Sequence, residues 1–219
     1  MQIKKDKINE AVYDLRFLLN RGYRKKNALQ FVSNKYLLSK RERNYLARSV
    51  FSNLKSESRG EKIVEITQIE NKYLLVDGYN VLITTESICQ RDYESLILCD
   101  DMILRDLNAV FGKYKFKDST KKALNAILEL INEYNPAYVN FLFDSPVSFS
   151  AKLAKLTNEI MQHYGIQGST NVSKNVDFEI IESSKTNNGV VATGDSVIID
   201  KIDKVVDIPF IILQKYKTK

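Results

Sequence analysis

Leu74-Leu75-Val76-Asp77-Gly78-Tyr79-Asn80 is an apolar run that stops at a carboxylate and a turn residue. Similar punctuation recurs along the chain. Asp144 closes Phe141-Leu142-Phe143-Asp144, Asp177 follows Asn171-Val172-Ser173-Lys174-Asn175-Val176, and Asp195 closes Val190-Val191-Ala192-Thr193-Gly194-Asp195. Short apolar runs that end in a polar residue and hand over to a helical pattern read as strands of a parallel sheet. The carboxyl ends of such strands gather in one crevice. Carboxylates brought together repel, so they take up protons or bind a cation. All-oxygen donors suit Mg²⁺ or Mn²⁺.

Size and composition are compatible with that fold. The chain has 219 residues with a hydrophobic fraction of 44%, enough for one sizeable core and a small appendage. No apolar stretch approaches the ~18 residues of a membrane span, and the polar start Met1-Gln2-Ile3-Lys4-Lys5-Asp6 lacks a signal core. Cys89 and Cys99 fit neither a zinc site nor a disulfide framework, so a reducing, cytoplasmic setting is expected. The one histidine, His163, disfavours triad chemistry and reads as a surface helix residue.

Charge is divided unevenly. Residues 1–60 carry 15 Lys+Arg against 5 Asp+Glu, a net of +10, whereas residues 61–219 carry 18 against 22, a net of −4. A basic module joined to an acidic one is expected where the first grips a polyanion and the second holds cations. The basic module reads as short helices over residues 7–20, 28–36 and from 40 onward. The last is announced by a capping box, Ser39 with Glu42 three residues on. Arg21, Arg24, Lys25, Lys26, Lys40, Arg41, Arg43 and Arg48 are the expected nucleic-acid contacts, with Tyr23, Tyr36 and Tyr45 among them. Residues 53–61 are polar and aperiodic and read as a linker, so the expected boundary lies between a helical domain, 1–60, and an α/β domain, 61–219.

In the second domain, strands are expected at 62–68, 72–77, 95–99, 138–143, 190–193 and 210–213, and helices at 101–111, 119–134, 150–164 and 177–184. Gly189 is the expected C′ residue of the last helix. Asp200, Asp203 and Asp207 read as solvated loop residues. The alternation predicts a mostly parallel sheet flanked by helices.

Two details narrow the chemistry. Asn80 stands three residues after Asp77, and an acidic residue that opens a helix, Asp177, is followed by a strand ending Thr193-Gly194-Asp195. This pattern, over residues 72–214, resembles the PIN/NYN nuclease superfamily. The whole chain also resembles an uncharacterised, mainly archaeal family that joins a basic helical region to a PIN-like domain. The nuclease resemblance implies that Asp77, Asp177 and Asp195 are metal ligands, that Asn80 is the motif asparagine, and that one or two Mg²⁺ or Mn²⁺ ions activate water. Asp144 is a local addition to that set. The middle acidic motif has no obvious counterpart. Asp100, Asp101, Arg105 and Asp106 are its candidates, Asp101 and Asp106 as ligands and Arg105 as a phosphate contact. The expected function is a metal-dependent ribonuclease that grips RNA through its basic module, with DNA as the open alternative substrate. No membrane partner is expected, and a homodimer is one option for assembly. Two rivals stay open: a non-catalytic nucleic-acid-binding protein on a degenerate PIN scaffold, and a small-molecule phosphohydrolase.

Overall fold

The computed structural model describes residues 2–107 and 114–217. The chain divides into two compact units, one formed by Met1–Glu61 with Ile97–Leu107, the other by Lys62–Leu96 with Asn108–Lys219.

The first unit is mainly helical: α1 (Gln2–Asn20), α2 (Lys25–Lys35), α3 (Lys40–Ser49) and α4 (Asn53–Gly60). Their apolar stripes meet through Ala11 and Leu15 of α1, Ala28 and Val32 of α2 and Leu46 of α3, all buried. Burying a leucine or valine in this way contributes roughly 1.5–3 kcal/mol. The capping box forms as expected. Ser39 Oγ accepts from the Glu42 amide at 3.3 Å, and a Glu42 carboxylate oxygen accepts from the Ser39 amide at 2.6 Å. Residues 53–61 are not a linker: Asn53–Gly60 is α4, capped by Ser52, whose Oγ accepts from the Lys55 amide at 3.4 Å. Its inward residue is a charged one, Arg59, so hydrophobic periodicity could not reveal it.

The 97–107 segment belongs to this unit. The expected helix over 101–111 does not form in its described part. Instead β2 (Leu96–Leu98) and β3 (Leu104–Asp106) make a small two-stranded sheet, and residues 108–111 lie outside the described residues. The i, i+4 pairing of Asp101 with Arg105 is real but is made across a tight turn, with Met102 at φ 62°.

The second unit carries β1 (Tyr73–Asp77), β4 (Tyr138–Asp144), β5 (Gly168–Ser173) and β6 (Val190–Ala192) in the order β5-β4-β1-β6. Every neighbouring pair is parallel. Helices α5 (Gly78–Cys89), α6 (Asp118–Glu133), α7 (Ser150–Tyr164) and α10 (Ile208–Lys217) pack on one another. Helix α8 (Val176–Thr186) lies across β1, β4 and β6, beside α9 (Ser196–Ile199). This is the expected α/β class with a parallel sheet flanked by helices.

Four local expectations are corrected. Residues 62–68 hold a 3₁₀ turn, Ile66–Ile69, and one bridge residue, Ile63, rather than a strand. Residues 210–213 are part of α10, entered through Pro209, a residue suited to a helix's first turn. Asn188, at φ 46°, takes the left-handed place after α8 that is expected of Gly189. Gly189 is instead a close-approach residue, since a Cβ there would lie 3.0 Å from the Tyr73 carbonyl oxygen. Asp207 is buried rather than solvated, and its Oδ1 accepts from the Phe210 amide at 3.0 Å at the start of α10.

The strand order positions the site. From β1 the chain moves outward through β4 to β5, then returns to the other side of β1 as β6. The order therefore reverses between β1 and β6, and at such a switch point a crevice opens beyond the carboxyl ends of the strands. Asp77 ends β1, and Thr193-Gly194-Asp195 follows β6.

Candidate functional site

Asp77 is 1% exposed at the end of β1. It occupies the cap position of α5 but makes no side-chain cap bond. Instead its Oδ2 accepts from Asn80 Nδ2 at 2.6 Å and from Thr193 Oγ1 at 2.7 Å. Thr193 Oγ1 in turn accepts from the Asp195 amide at 2.9 Å. A hydrogen-bond chain thus joins the ends of the two strands at the switch point. Asp195 caps α9, with Oδ1 accepting from the Val197 amide at 2.6 Å and the Ile198 amide at 3.4 Å. Capping and membership of the site coexist in one side chain.

Gly78 is needed for this geometry. A Cβ on it would come within 2.4 Å of the Phe143 ring and 2.8 Å of the Leu142 carbonyl oxygen. Its absence lets α5 leave β1 hard against β4. Tyr79 secures the same corner. Its hydroxyl bonds at 3.0 Å to the Ser148 carbonyl oxygen and at 3.0 Å to Ser150 Oγ, in the loop that follows Asp144.

The four carboxylates share one electrostatic environment. Burial pushes Asp77 up to about 7, against the pull of its bonds from Thr193 and Asn80, and the charges of Asp195 and Asp144 push it further. Asp144 is raised by burial, then by Asp177 and Asp195. Asp177, in the first turn of α8, is raised by burial and by Asp195, and Lys201 opposes the shift. The structure therefore brings Asp77, Asn80, Asp144, Asp177 and Asp195 together. Thr193 joins them; the strand-end Thr-Gly-Asp motif contains it, but only the fold shows its hydroxyl on Asp77. Lys201 is a further addition that no motif signals.

Their donor chemistry, hard carboxylate oxygens that repel one another, fits a divalent cation. Among the described residues, however, no three His, Cys, Asp or Glu side chains lie close enough to grip a single ion. The carboxylates interact through space without forming a closed coordination shell.

Asp101, Arg105 and Asp106 belong to the helical unit, not to this cluster. Asp101 is fully buried and receives Arg59 Nη1 at 3.1 Å and Arg105 at 2.5 and 2.8 Å. The backbone oxygen of Asp106 accepts from Arg48 Nη1. Asp100 accepts from Arg16, at 2.8 Å to Oδ1, and from the Phe51 amide at 3.1 Å. These side chains tie the 97–107 segment to α1, α3 and α4, a structural task. Of the expected nucleic-acid contacts, Arg21, Arg24, Lys26, Lys40, Arg41 and Arg43 are exposed, whereas Lys25 and Arg48 are half-buried. Tyr23 is exposed, while Tyr36 and Tyr45 pack against the helical core.

The fold and site define an α/β protein with a carboxylate cluster at the switch point of a parallel sheet. The chain belongs to the family described as Domain of unknown function (DUF5616), whose model matches residues 66–210. Residues 7–62 match a second model, Protein of unknown function (DUF434). The chain is similar to Uncharacterized protein MJ0935 of Methanocaldococcus jannaschii, at 38% identity over 203 residues, 92% of this chain and 94% of that protein. No solved structure matches it significantly. No helix among the described residues is long and apolar enough to cross a membrane.

Proposed function

We propose that this protein is a Mg²⁺- or Mn²⁺-dependent ribonuclease whose acidic crevice cleaves phosphodiesters and whose basic helical unit grips RNA. The observation that supports it best is the grouping of carboxylates at the β1/β6 switch point: the charges of Asp195 and Asp144 act on Asp77, those of Asp177 and Asp195 on Asp144, and that of Asp195 on Asp177. A divalent ion would relieve that repulsion and would supply Lewis-acid charge and an activated water. Asp77, Asp177 and Asp195 would share one or two such ions between them, with Asp144 beside them. Asn80 and Thr193 keep the Asp77 carboxylate oriented. RNA, rather than DNA, follows from the resemblance to PIN/NYN nucleases, and the net +10 of residues 1–60 suits either polyanion.

A second reading, RNA binding without cleavage, is favoured by two observations. The described carboxylates do not close on one ion, and the candidates for a middle acidic motif serve the helical unit. Incubation of the full chain with end-labelled single-stranded RNA separates the two. Cleavage that needs Mn²⁺ or Mg²⁺, stops with EDTA and is absent in Asp77→Asn supports the nuclease. Binding without cleavage under every metal supports the second reading.

A further inference from the structure

The helical unit contains a cation cluster that the acidic crevice does not use. Three positive groups surround the ring of Phe51: Lys25 Nζ at 3.7 Å from its centroid, Arg59 Cζ at 4.4 Å and Arg105 Cζ at 5.4 Å. An aromatic face attracts one cation modestly, and it cannot offset the repulsion among three. Asp101 binds both guanidinium groups. Lys25 has no equivalent: among the described residues, no oxygen accepts a hydrogen bond from its Nζ. Burial lowers its pKa to about 8, and repulsion from Arg59 and from Arg105 each exceeds the attraction of Asp101. The local field at Lys25 is therefore positive.

The sequence around it makes the imbalance greater. Lys25 opens α2, Arg24 is the N-cap and Lys26 follows, the last two exposed. The first turn has no acidic residue, and the Arg24 side chain makes no cap bond. A helix N-terminus favours anions, so three basic residues there have the wrong sign for helix stability. Positions that break a local rule without a compensating contact are where function is expected.

We propose that Lys25, with Arg59 and Arg105 behind it and Arg24 and Lys26 alongside, binds a phosphate monoester group. Its oxygens would accept from Lys25 Nζ and from the exposed Arg24 and Lys26 side chains, and its negative charge would offset the positive field at Lys25. A monoester suits the site better than a diester, because it carries close to two charges at neutral pH and three strong acceptor oxygens. Two sources offer that group: the phosphorylated end of an RNA strand, or free phosphate and small phosphorylated molecules. Phosphate binding at Lys25 depends neither on the metal site nor on cleavage.

The test uses the full chain in EDTA. Affinity is measured for inorganic phosphate and for one short single-stranded RNA carrying a 5′-phosphate, a 3′-phosphate or neither. Lys25→Met keeps the apolar stem over Phe51 and removes the charge. The expected result is a preference for a phosphorylated end of at least about tenfold, the worth of one charge-assisted hydrogen bond. That preference should vanish in Lys25→Met, whose melting temperature without ligand should be no lower than wild type. Arg24→Ala with Lys26→Ala, both at exposed positions, should reduce it as well and serves if Lys25→Met does not fold. Inorganic phosphate binding that needs Lys25, with no preference among the RNAs, assigns the site to a small phosphate ligand. If wild type and variants bind phosphate and all three RNAs alike, the site does not exist.

Discussion

Asp77→Asn should raise the stability of the metal-free protein and abolish the stability gained from metal. The Asp77 carboxyl is raised from 3.8 to about 7 in the folded state, chiefly by burial. The unfolded chain releases this proton near pH 4 and the folded chain near 7, so stability falls as pH climbs between them and stays low above. Ionising a carboxyl held that far above its ordinary value costs the fold about 4 kcal/mol at pH 8. Asparagine retains an acceptor for Asn80 and Thr193 but buries an amide that needs its own partner, so the net gain should be roughly 1–2 kcal/mol. In a chain of this size that is ~2–8 °C of melting temperature. Thermal melts of both proteins in EDTA, from pH 4.5 to 8.5, should show the advantage of the variant growing with pH. Mn²⁺ at a hundred times its dissociation constant should add ~2.7 kcal/mol to wild type alone and reverse the order. An advantage that does not change with pH would mean that Asp77 is not held protonated by burial, and equal stabilisation of both proteins by Mn²⁺ would mean that Asp77 is not a ligand.

Other perturbations address the neighbouring parts. Asp101→Asn removes the shared partner of two buried guanidiniums and should destabilise by ~3–5 kcal/mol. Calorimetry should find its Mn²⁺ affinity unchanged, because it is not part of the acidic crevice; a lost affinity would return it to the site. Gly78→Ala must displace Phe143 or the β4 backbone, which should lower stability by ~1–3 kcal/mol and, by shifting Asp77, weaken Mn²⁺ binding as well. Lys25 faces Arg59, Arg105, Asp101 and Cys99, and its folded pKa of about 8 lies below its usual 10.5. Between those values the unfolded chain holds the extra proton, so stability should rise with pH. Denaturation of wild type and Lys25→Met at pH 7.5 and 10 should therefore show the gap between them closing at the higher pH.

The carboxylate cluster is legible because each acid punctuates the end of a strand or the start of a helix, positions that a parallel sheet brings together whatever its exact register. The elements between them are harder to read. Helix α5 is buried nearly all round, from Tyr79 and Val81 to Thr85 and Ile88, so it has no polar face to set a 3.6-residue period. Strand β5, Gly168–Ser173, lies at the edge of the sheet and is largely polar; Thr170 and Val172 are its only β-branched residues, and no apolar run announces it. Asp101, Arg105 and Asp106 have a spacing that fits a helix face. A tight turn brings Asp101 and Arg105 together equally well, and sequence spacing cannot separate the two. Thr193 is visible within its motif, but its role depends on the β1–β6 pairing, a contact between residues 116 positions apart.

A catalytic ion in the acidic crevice would be visible in crystals of the full chain soaked in Mn²⁺, with data collected at a wavelength that reveals manganese by anomalous scattering. The prediction is a peak coordinated by oxygens of Asp77, Asp177 or Asp195, lost in crystals of Asp195→Asn. Well-ordered crystals at millimolar Mn²⁺ with no peak in that crevice would contradict it.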